Sequence, residues 1–300
     1  MPKLGVLTGA TSGIGRATAM ALAQRGFELV LLGRNGAAGR AIVDKLRRIT
    51  PCGQAHFFSC DLSSLAEVRT VAQKIAESCD RIDLLVNNAG ARFDTFATSV
   101  DGIERTFATN HLGHFLLTGL LCERLAKASA PRIITVTSSV AAHAHLPPLW
   151  NPEAANYDRR KAYAWSKLAN VLFAFTLHRS LRSVSGASLA YDPGIVFTGF
   201  GRNNGLKAWL KHLLYHGLRR ELISARESGK ALASIAEVQL PEEPDGLFYR
   251  LDQPAKGGPA AYNRTAQREL WALSTRLVQL ADGNLAPRLW MWGCSPLHQP

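Results

Sequence analysis

Residues 3–16 read Lys3-Leu4-Gly5-Val6-Leu7-Thr8-Gly9-Ala10-Thr11-Ser12-Gly13-Ile14-Gly15-Arg16. A short apolar run stops at Thr8, glycines follow at 9, 13 and 15, and a helical pattern starts at about residue 13. Taken as strand, turn and helix N-terminus, each glycine has a use. Gly9 makes a tight turn, Gly13 lets backbone come close to a bound pyrophosphate, and Gly15 permits close helix packing. The first turn of the helix offers free N–H groups and a dipole that favour an anion. A glycine triplet alone is a weak signal; its place between a strand and a helix is what gives it weight.

Outward from this stretch, short apolar runs alternate with helical patterns. Strands are expected at 3–8, 28–32, 54–60, 82–87, 132–138 and 187–191. Helices are expected at 13–26, within 36–49, and at 63–78, 101–128 and 160–183. Such alternation predicts a parallel, doubly wound α/β sheet of Rossmann type, with helices on both faces and ligands at the carboxyl ends of the strands. Beyond residue 200 the pattern loosens into a basic amphipathic stretch at 206–220, a helix at 225–238, a strand at 246–250 and a helix at 264–281. No linker divides the chain, so 1–282 reads as one domain followed by a tail at 283–300.

Composition narrows the class. The chain has 300 residues, 47% hydrophobic and 19% charged, as a globular protein does. Its net charge of +12 is spread along the chain without a nucleic-acid recognition motif, so no nucleic-acid partner is expected. No apolar run approaches the ~18 residues of a membrane span. The N-terminal apolar run leads straight into the glycine motif, which reads as a strand and not a signal peptide. Cysteines at 52, 60, 79, 122 and 294 are odd in number and lack close pairing, the pattern of a reduced, cytoplasmic protein with no metal site.

The second strand ends Leu32-Gly33-Arg34-Asn35. Folds that prefer the unphosphorylated dinucleotide place an acid here, to accept from the ribose 2′-hydroxyl. Arg34, with Arg16 at the head of the first helix, instead suits a 2′-phosphate through charge-assisted bonds, so the expected cofactor is NADP(H). Asp61 and Leu62, after the third strand, would flank the adenine.

Tyr163 and Lys167 stand four apart on a helix and share a face. A phenol titrates near ~10, and a neighbouring ammonium favours its ionised form, so the pair reads as an acid/base with a lowered phenol value. Ser138 and Ser139 close the fifth strand, Asn110 lies inside the long helix, and Asn87-Asn88-Ala89-Gly90 ends the fourth strand. Asp192-Pro193-Gly194 ends the sixth.

Together Thr8-Gly9, Gly13-Ile14-Gly15, Asn87-Asn88-Ala89-Gly90, Ser139, Tyr163, Lys167 and Pro193-Gly194 resemble the classical short-chain dehydrogenase/reductases. The stretches 109–117 (TNHLGHFLL) and 166–173 (SKLANVLF) are similar to the branch that holds retinol dehydrogenases and protochlorophyllide reductases. The resemblance implies a hydride transfer between nicotinamide and a carbonyl or alcohol carbon. Tyr163 would be its general acid/base, with Lys167 lowering the phenol value and holding the nicotinamide ribose. Ser139 would orient the reacting oxygen, and Asn110 would anchor a water that relays protons to Lys167. It implies a cofactor site from Gly9, Thr11, Ser12, Gly13, Ile14, Gly15, Arg16, Arg34, Asn35, Asp61, Leu62, Asn88, Ala89, Gly90, Tyr163, Lys167, Pro193, Gly194, Ile195 and Thr198.

It also implies a substrate lid at 198–224 and homo-oligomers through the helices at 101–128 and 160–183. The apolar face of 206–220 favours an apolar small-molecule substrate, and the same face suits a peripheral membrane contact. Three features depart from the branch: the N-terminal membrane anchor carried by many retinol-dehydrogenase relatives is not expected here, Asp192 stands where histidine is common, and Arg92 is a charge at the mouth of the site. Reduction of an activated C=C bond and a non-catalytic NADP(H)-binding scaffold are the alternatives.

Overall fold

A computed structural model describes residues 2–49, 54–144, 154–181, 185–197, 222–241, 243 and 245–279. Its centre is an eight-stranded sheet. In chain order the strands are β1 (Leu4–Thr8), β2 (Glu28–Gly33), β3 (Ala55–Ser59), β4 (Leu84–Asn87), β5 (Arg132–Val136), β6 (Ala187–Asp192), β9 (Leu247–Arg250) and β10 (Gln253–Ala255). Strands β7 (Ile195–Phe197) and β8 (Leu222–Ser224) form a separate parallel pair. The sheet order is β10-β9-β6-β5-β4-β1-β2-β3. Every pairing is parallel except that of β10 with β9. The winding reverses between β1 and β4, and the crevice at that switch point is where such sheets bind ligands.

The strands sit here because their apolar residues feed two cores, one on each face of the sheet. Val6, Val30, Leu85 and Ile133 point into one. Their chain neighbours Leu7, Leu31, Val86 and Ile134 point into the other, as a period of two requires. The second face is covered by α1 (Gly13–Gln24), α2 (Gly36–Arg47) and α8 (Ala225–Ile235). On the first lie α3 (Leu65–Ser78), α5 (Gly113–Leu120), α7 (Arg159–Leu181) and α9 (Arg264–Gln279). Side-chain caps mark where these helices begin. Asn35 accepts from Ala38 N at α2, Ser64 from Glu67 N at α3, and Ser224 forms a reciprocal box with Glu227 at α8.

The helix expected at 101–128 is not continuous. It is built from α4 (Arg105–Phe107), a π-helical turn at Ala108–Leu112, α5 and α6 (Cys122–Ala126). It starts late because the buried carboxylate of Glu104 accepts from Thr106 N and Phe107 N, both at 2.8 Å, and so caps the helix at 104. The small strands β7, β8 and β10 are additions that the apolar pattern does not announce.

The helices expected to pair chains are covered on this face by the chain's own α9. Trp271 meets Phe115 edge-on at 5.1 Å and stacks with Phe173 at 6.0 Å between ring centroids. His111 Nε2 and Ser274 Oγ are hydrogen-bonded at 2.8 Å. Among the described residues no helix is long and apolar enough to cross a membrane. Thr198, the 206–220 stretch and the 283–300 tail lie outside the described residues, and of the expected lid only 222–224, strand β8, is described.

Candidate active site

The glycine turn is closed against the end of β4. Gly9 and Gly13 have positive φ, +69° and +51°. A Cβ on Gly9 would lie 2.8 Å from Ala89 Cα, and one on Gly15 would lie 2.2 Å from Gly9 O. Asn88 Nδ2 donates to Thr8 O at 2.8 Å, and the N–H groups of Asn88 and Ala89 both donate to Thr8 Oγ1 at 2.9 Å. Thr11 packs against Gly33, where a Cβ would sit 3.1 Å from Thr11 Cγ2, and Ala10 N donates to Leu32 O. The ends of β1, β2 and β4 thus make one cradle.

At its floor α1 begins with neither an acidic residue in its first turn nor a side-chain cap from Ser12. Its N–H groups therefore suit a phosphate, and the turn fits the pyrophosphate of a dinucleotide. Arg16 and Arg34 are exposed at the rim. Other expected cofactor residues are committed to the protein itself. Asn35 caps α2, Asp61 Oδ1 accepts from Ser63 N and Oγ at 2.9 and 2.8 Å, and Leu62 is buried under Gly113.

Tyr163 and Lys167 share the first turns of α7, with Lys167 Nζ 5.8 Å from the phenol ring centroid. Nζ is buried and donates to Val136 O at 3.1 Å. Burial lowers this ammonium to about 8, and the Asp192 carboxylate acts against that shift. The phenol departs from the expected direction. Burial pushes Tyr163 up to about 12, more than the Arg92 guanidinium and a hydrogen bond with Ser138 pull it down.

Ser138 is the hydroxyl set against the phenol, whereas Ser139 is exposed and its N–H donates to Asp192. The cause is local. Strand β5 stops at Val136, Ser138 is still extended at φ −165°, and Ser139 opens a 3-10 turn. Asp192 is buried and also accepts from Gly194 N at 3.1 Å, where Gly194 turns the chain with φ +72°. Pro193 and Ile195 follow the same end of the sheet.

Asn110 lies within the π turn, a feature that often marks functional sites. Its Oδ1 accepts from Ala91 N at 2.7 Å, and its Nδ2 donates to Ala91 O and to Ser166 Oγ, both at 2.9 Å. Ser166 Oγ in turn donates to Tyr163 O at 2.8 Å. This chain of bonds clamps the loop after β4 onto the turn of α7 that carries Tyr163. A Cβ on Gly90 would lie 3.3 Å from Lys167 Nζ and 3.5 Å from Asn110 Oδ1, so Gly90 brings the cradle up to the lysine.

The short chain dehydrogenase family model matches residues 3–207. The chain is a member of the short-chain dehydrogenase family. It is 37% identical over 284 residues to retinol dehydrogenase 13 of Homo sapiens, covering 92% of this chain and 84% of that protein. It is 32% identical over 291 residues to polyprenol dehydrogenase of Homo sapiens, covering 94% and 87%. A solved structure of a putative uncharacterized protein from Mycobacterium paratuberculosis superposes with a TM-score of 0.71 at 29% identity, over 93% of this chain and 96% of that one. This short-chain dehydrogenase is therefore an oxidoreductase with a single Rossmann-type sheet and a site for a nicotinamide cofactor.

Some residues of the site escaped the sequence reading. Thr8 was read only as the opening of the glycine motif, yet its hydroxyl joins β1 to β4 and to His114 Nε2 at 2.8 Å. His114 Nδ1 lies 3.0 Å from Asn110 O, so this histidine links cradle and clamp as a packed, hydrogen-bonded side chain. Tyr157 Oη donates to Phe93 O at 3.0 Å and holds the loop from the other side. A buried polar residue at a strand end was the available signal for Thr8; Tyr157 carried none.

Proposed function

We propose that this dehydrogenase is an NADP(H)-dependent reductase of the carbonyl group of a bulky apolar substrate, with Tyr163 as the proton donor. The observation that carries the reading is the Tyr163 phenol, hydrogen-bonded to Ser138 and one helical turn from Lys167 beside the glycine cradle. A phenol pushed upward by burial keeps its proton through the neutral range, the form that reduction requires. When bound, the reduced nicotinamide supplies the hydride. Ser138 donates a hydrogen bond to the substrate oxygen, and Tyr163 Oη delivers the proton that completes the alcohol. Lys167, buried and oriented by Val136 O, supplies positive charge as the phenolate forms. The cradle at Gly9–Gly15 holds the pyrophosphate. Arg34 and Arg16, exposed at its rim without a competing acid after β2, favour a 2′-phosphate. The names of the retinol and polyprenol relatives support an apolar substrate.

Nucleotide oxidation followed against long-chain and aromatic aldehydes and ketones tests this. Turnover is expected with NADPH. Arg34→Asp shifts the preference toward NADH by roughly tenfold or more, the loss of one charge-assisted bond. Equal use of both nucleotides by the unaltered enzyme overturns the NADP(H) assignment. Ser138→Ala is expected to lower kcat by about 100-fold while Ser139→Ala changes it less than about threefold, as one lost transition-state donor predicts. The reverse order would make Ser139 the donor instead.

A further inference from the structure

Hydride and proton must meet at one carbonyl, yet their donors stand on different elements. The cradle is built from the ends of β1, β2 and β4, and the Tyr163 phenol rides on α7. Their spacing matters, since a misplacement of ~1 Å can cost about 100-fold in rate. A continuous run of hydrogen bonds spans the gap, and His114 on α5 is its joint.

The run starts at Thr8. Its hydroxyl oxygen accepts from Asn88 N and Ala89 N, both at 2.9 Å, which uses its two lone pairs. Its one proton goes to His114 Nε2 at 2.8 Å; the other acceptor in reach, Val86 O, is farther at 3.4 Å. On the opposite side of the ring Nδ1 lies 3.0 Å from Asn110 O. A carbonyl only accepts, so Nδ1 carries the hydrogen and Nε2 is free to accept. The ring therefore has one tautomer and one orientation. From Asn110 the run continues through its side chain, with Nδ2 donating to Ser166 Oγ at 2.9 Å and Ser166 Oγ donating to Tyr163 O at 2.8 Å. The same Asn110 amide holds Ala91, two residues beyond the Ala89 that Thr8 holds, so the loop leaving the cradle is tied in as well. Thr8, Asn110, His114 and Ser166 are fully enclosed. An apolar side chain would fill such a place at no desolvation cost. A buried polar run with its partners met instead fixes one geometry.

We infer that His114 is a positioning residue of the reduction: its doubly bonded ring sets the distance between the cofactor cradle and the turn of α7 that carries Tyr163. The inference rests on the reading of Tyr163 as proton donor and of Gly9–Gly15 as the nucleotide cradle. His114 touches neither cofactor nor substrate in this role. It acts through Thr8 on one side and through Asn110 and Ser166 on the other.

Bonds in series fail at the first break. His114→Phe and Ser166→Ala open the run at separate places that meet through Asn110. Each is expected to lower kcat for carbonyl reduction about tenfold, well below its Tm, with the Kd for NADPH within about threefold. In the double variant the loss stays within about threefold of the larger single one, whereas two unrelated packing defects multiply to about 100-fold. His114→Gln, an amide that can both accept and donate, comes back to within about threefold of the unaltered kcat. If His114→Phe does not fold, His114→Met fills the same space without either bond and takes its place. A second readout does not need turnover. In the NADPH complex, the nuclear Overhauser effect between nicotinamide protons and the Tyr163 ring, assigned by its loss in Tyr163→Phe, weakens in both single variants. Folded, cofactor-binding single variants that keep kcat within about threefold and leave the Overhauser effect unchanged overturn the inference, as do losses that multiply in the double variant. An unaltered enzyme that binds NADPH but turns over no carbonyl overturns the reading of Tyr163 instead, and the Overhauser effect still decides whether His114 sets the distance.

Discussion

Tyr163→Phe is expected to lower kcat by about 1,000-fold while changing the Kd for NADPH less than about threefold, the size of effect a positioned proton donor contributes. The substitution removes one oxygen and leaves the ring in place on α7. The cradle, built from Thr8, Gly9, Gly15 and Asn88, does not depend on that oxygen. On the proposed reading what is lost is the proton that the phenol delivers, so the loss falls on kcat and not on nucleotide binding. Steady-state kinetics beside a fluorescence titration of NADPH separates the two. A variant that keeps more than about a tenth of its activity would mean that the proton comes from elsewhere.

Acid is expected to unfold the enzyme through two buried histidines. His111 and His114 are fully enclosed, and burial brings them down to about 3 and about 4. The geometry explains why His114 must stay neutral. Its Nδ1–H donates to Asn110 O, so its Nε2 accepts from the Thr8 hydroxyl, whose own oxygen already accepts from Asn88 N and Ala89 N. A second ring proton would point at an oxygen with no lone pair left.

Both folded values lie below the ordinary histidine value of 6.5, so the unfolded chain takes up protons first. The stability they contribute is whole above about pH 6.5 and is lost as pH falls toward 4 and then 3. At roughly 1.4 kcal/mol per unit the loss is on the order of 3–5 kcal/mol for each, against a typical total of about 5–15. Cooperative unfolding is expected between about pH 5 and 3, and the histidine ring resonances should not titrate before it. A chain still folded at about pH 3, or rings that titrate near 6.5 in the folded protein, would sink this expectation.

Much of the fold was legible because its cause is local. Val6 and Leu7, or Leu85 and Val86, alternate between two cores, and a period of two with glycine at the strand end is visible in the letters alone. The cradle was legible for the same reason: only glycine tolerates the contacts at Gly9 and Gly15. The details of the candidate site depend on where elements end, and that is decided by tertiary packing. Ser138 and Ser139 are alike in sequence and differ in that the 3-10 turn opens at Ser139. The π turn around Asn110 shifts hydrogen bonds by one residue and leaves no mark on composition. The direction of the Tyr163 shift followed from the desolvation of the whole site, which the Tyr–Lys spacing does not contain. Arg92 was visible as an odd charge, but its anchoring by Asn110 and Tyr157 was not.

The late position of α9 has a consequence for biosynthesis. The aromatic face that it shields comes from Phe115 and Phe173, and its own Trp271 emerges long after them. At about 5–20 residues per second, a chain under synthesis carries that apolar face uncovered for roughly 5–20 s. A message cut short before residue 264 would leave it uncovered for good, with the entire Tyr163–Lys167 site already made. Such a product holds the candidate site of Tyr163 and Lys167 and the means to aggregate, so the last of the described helices decides whether a chain with that site persists in solution.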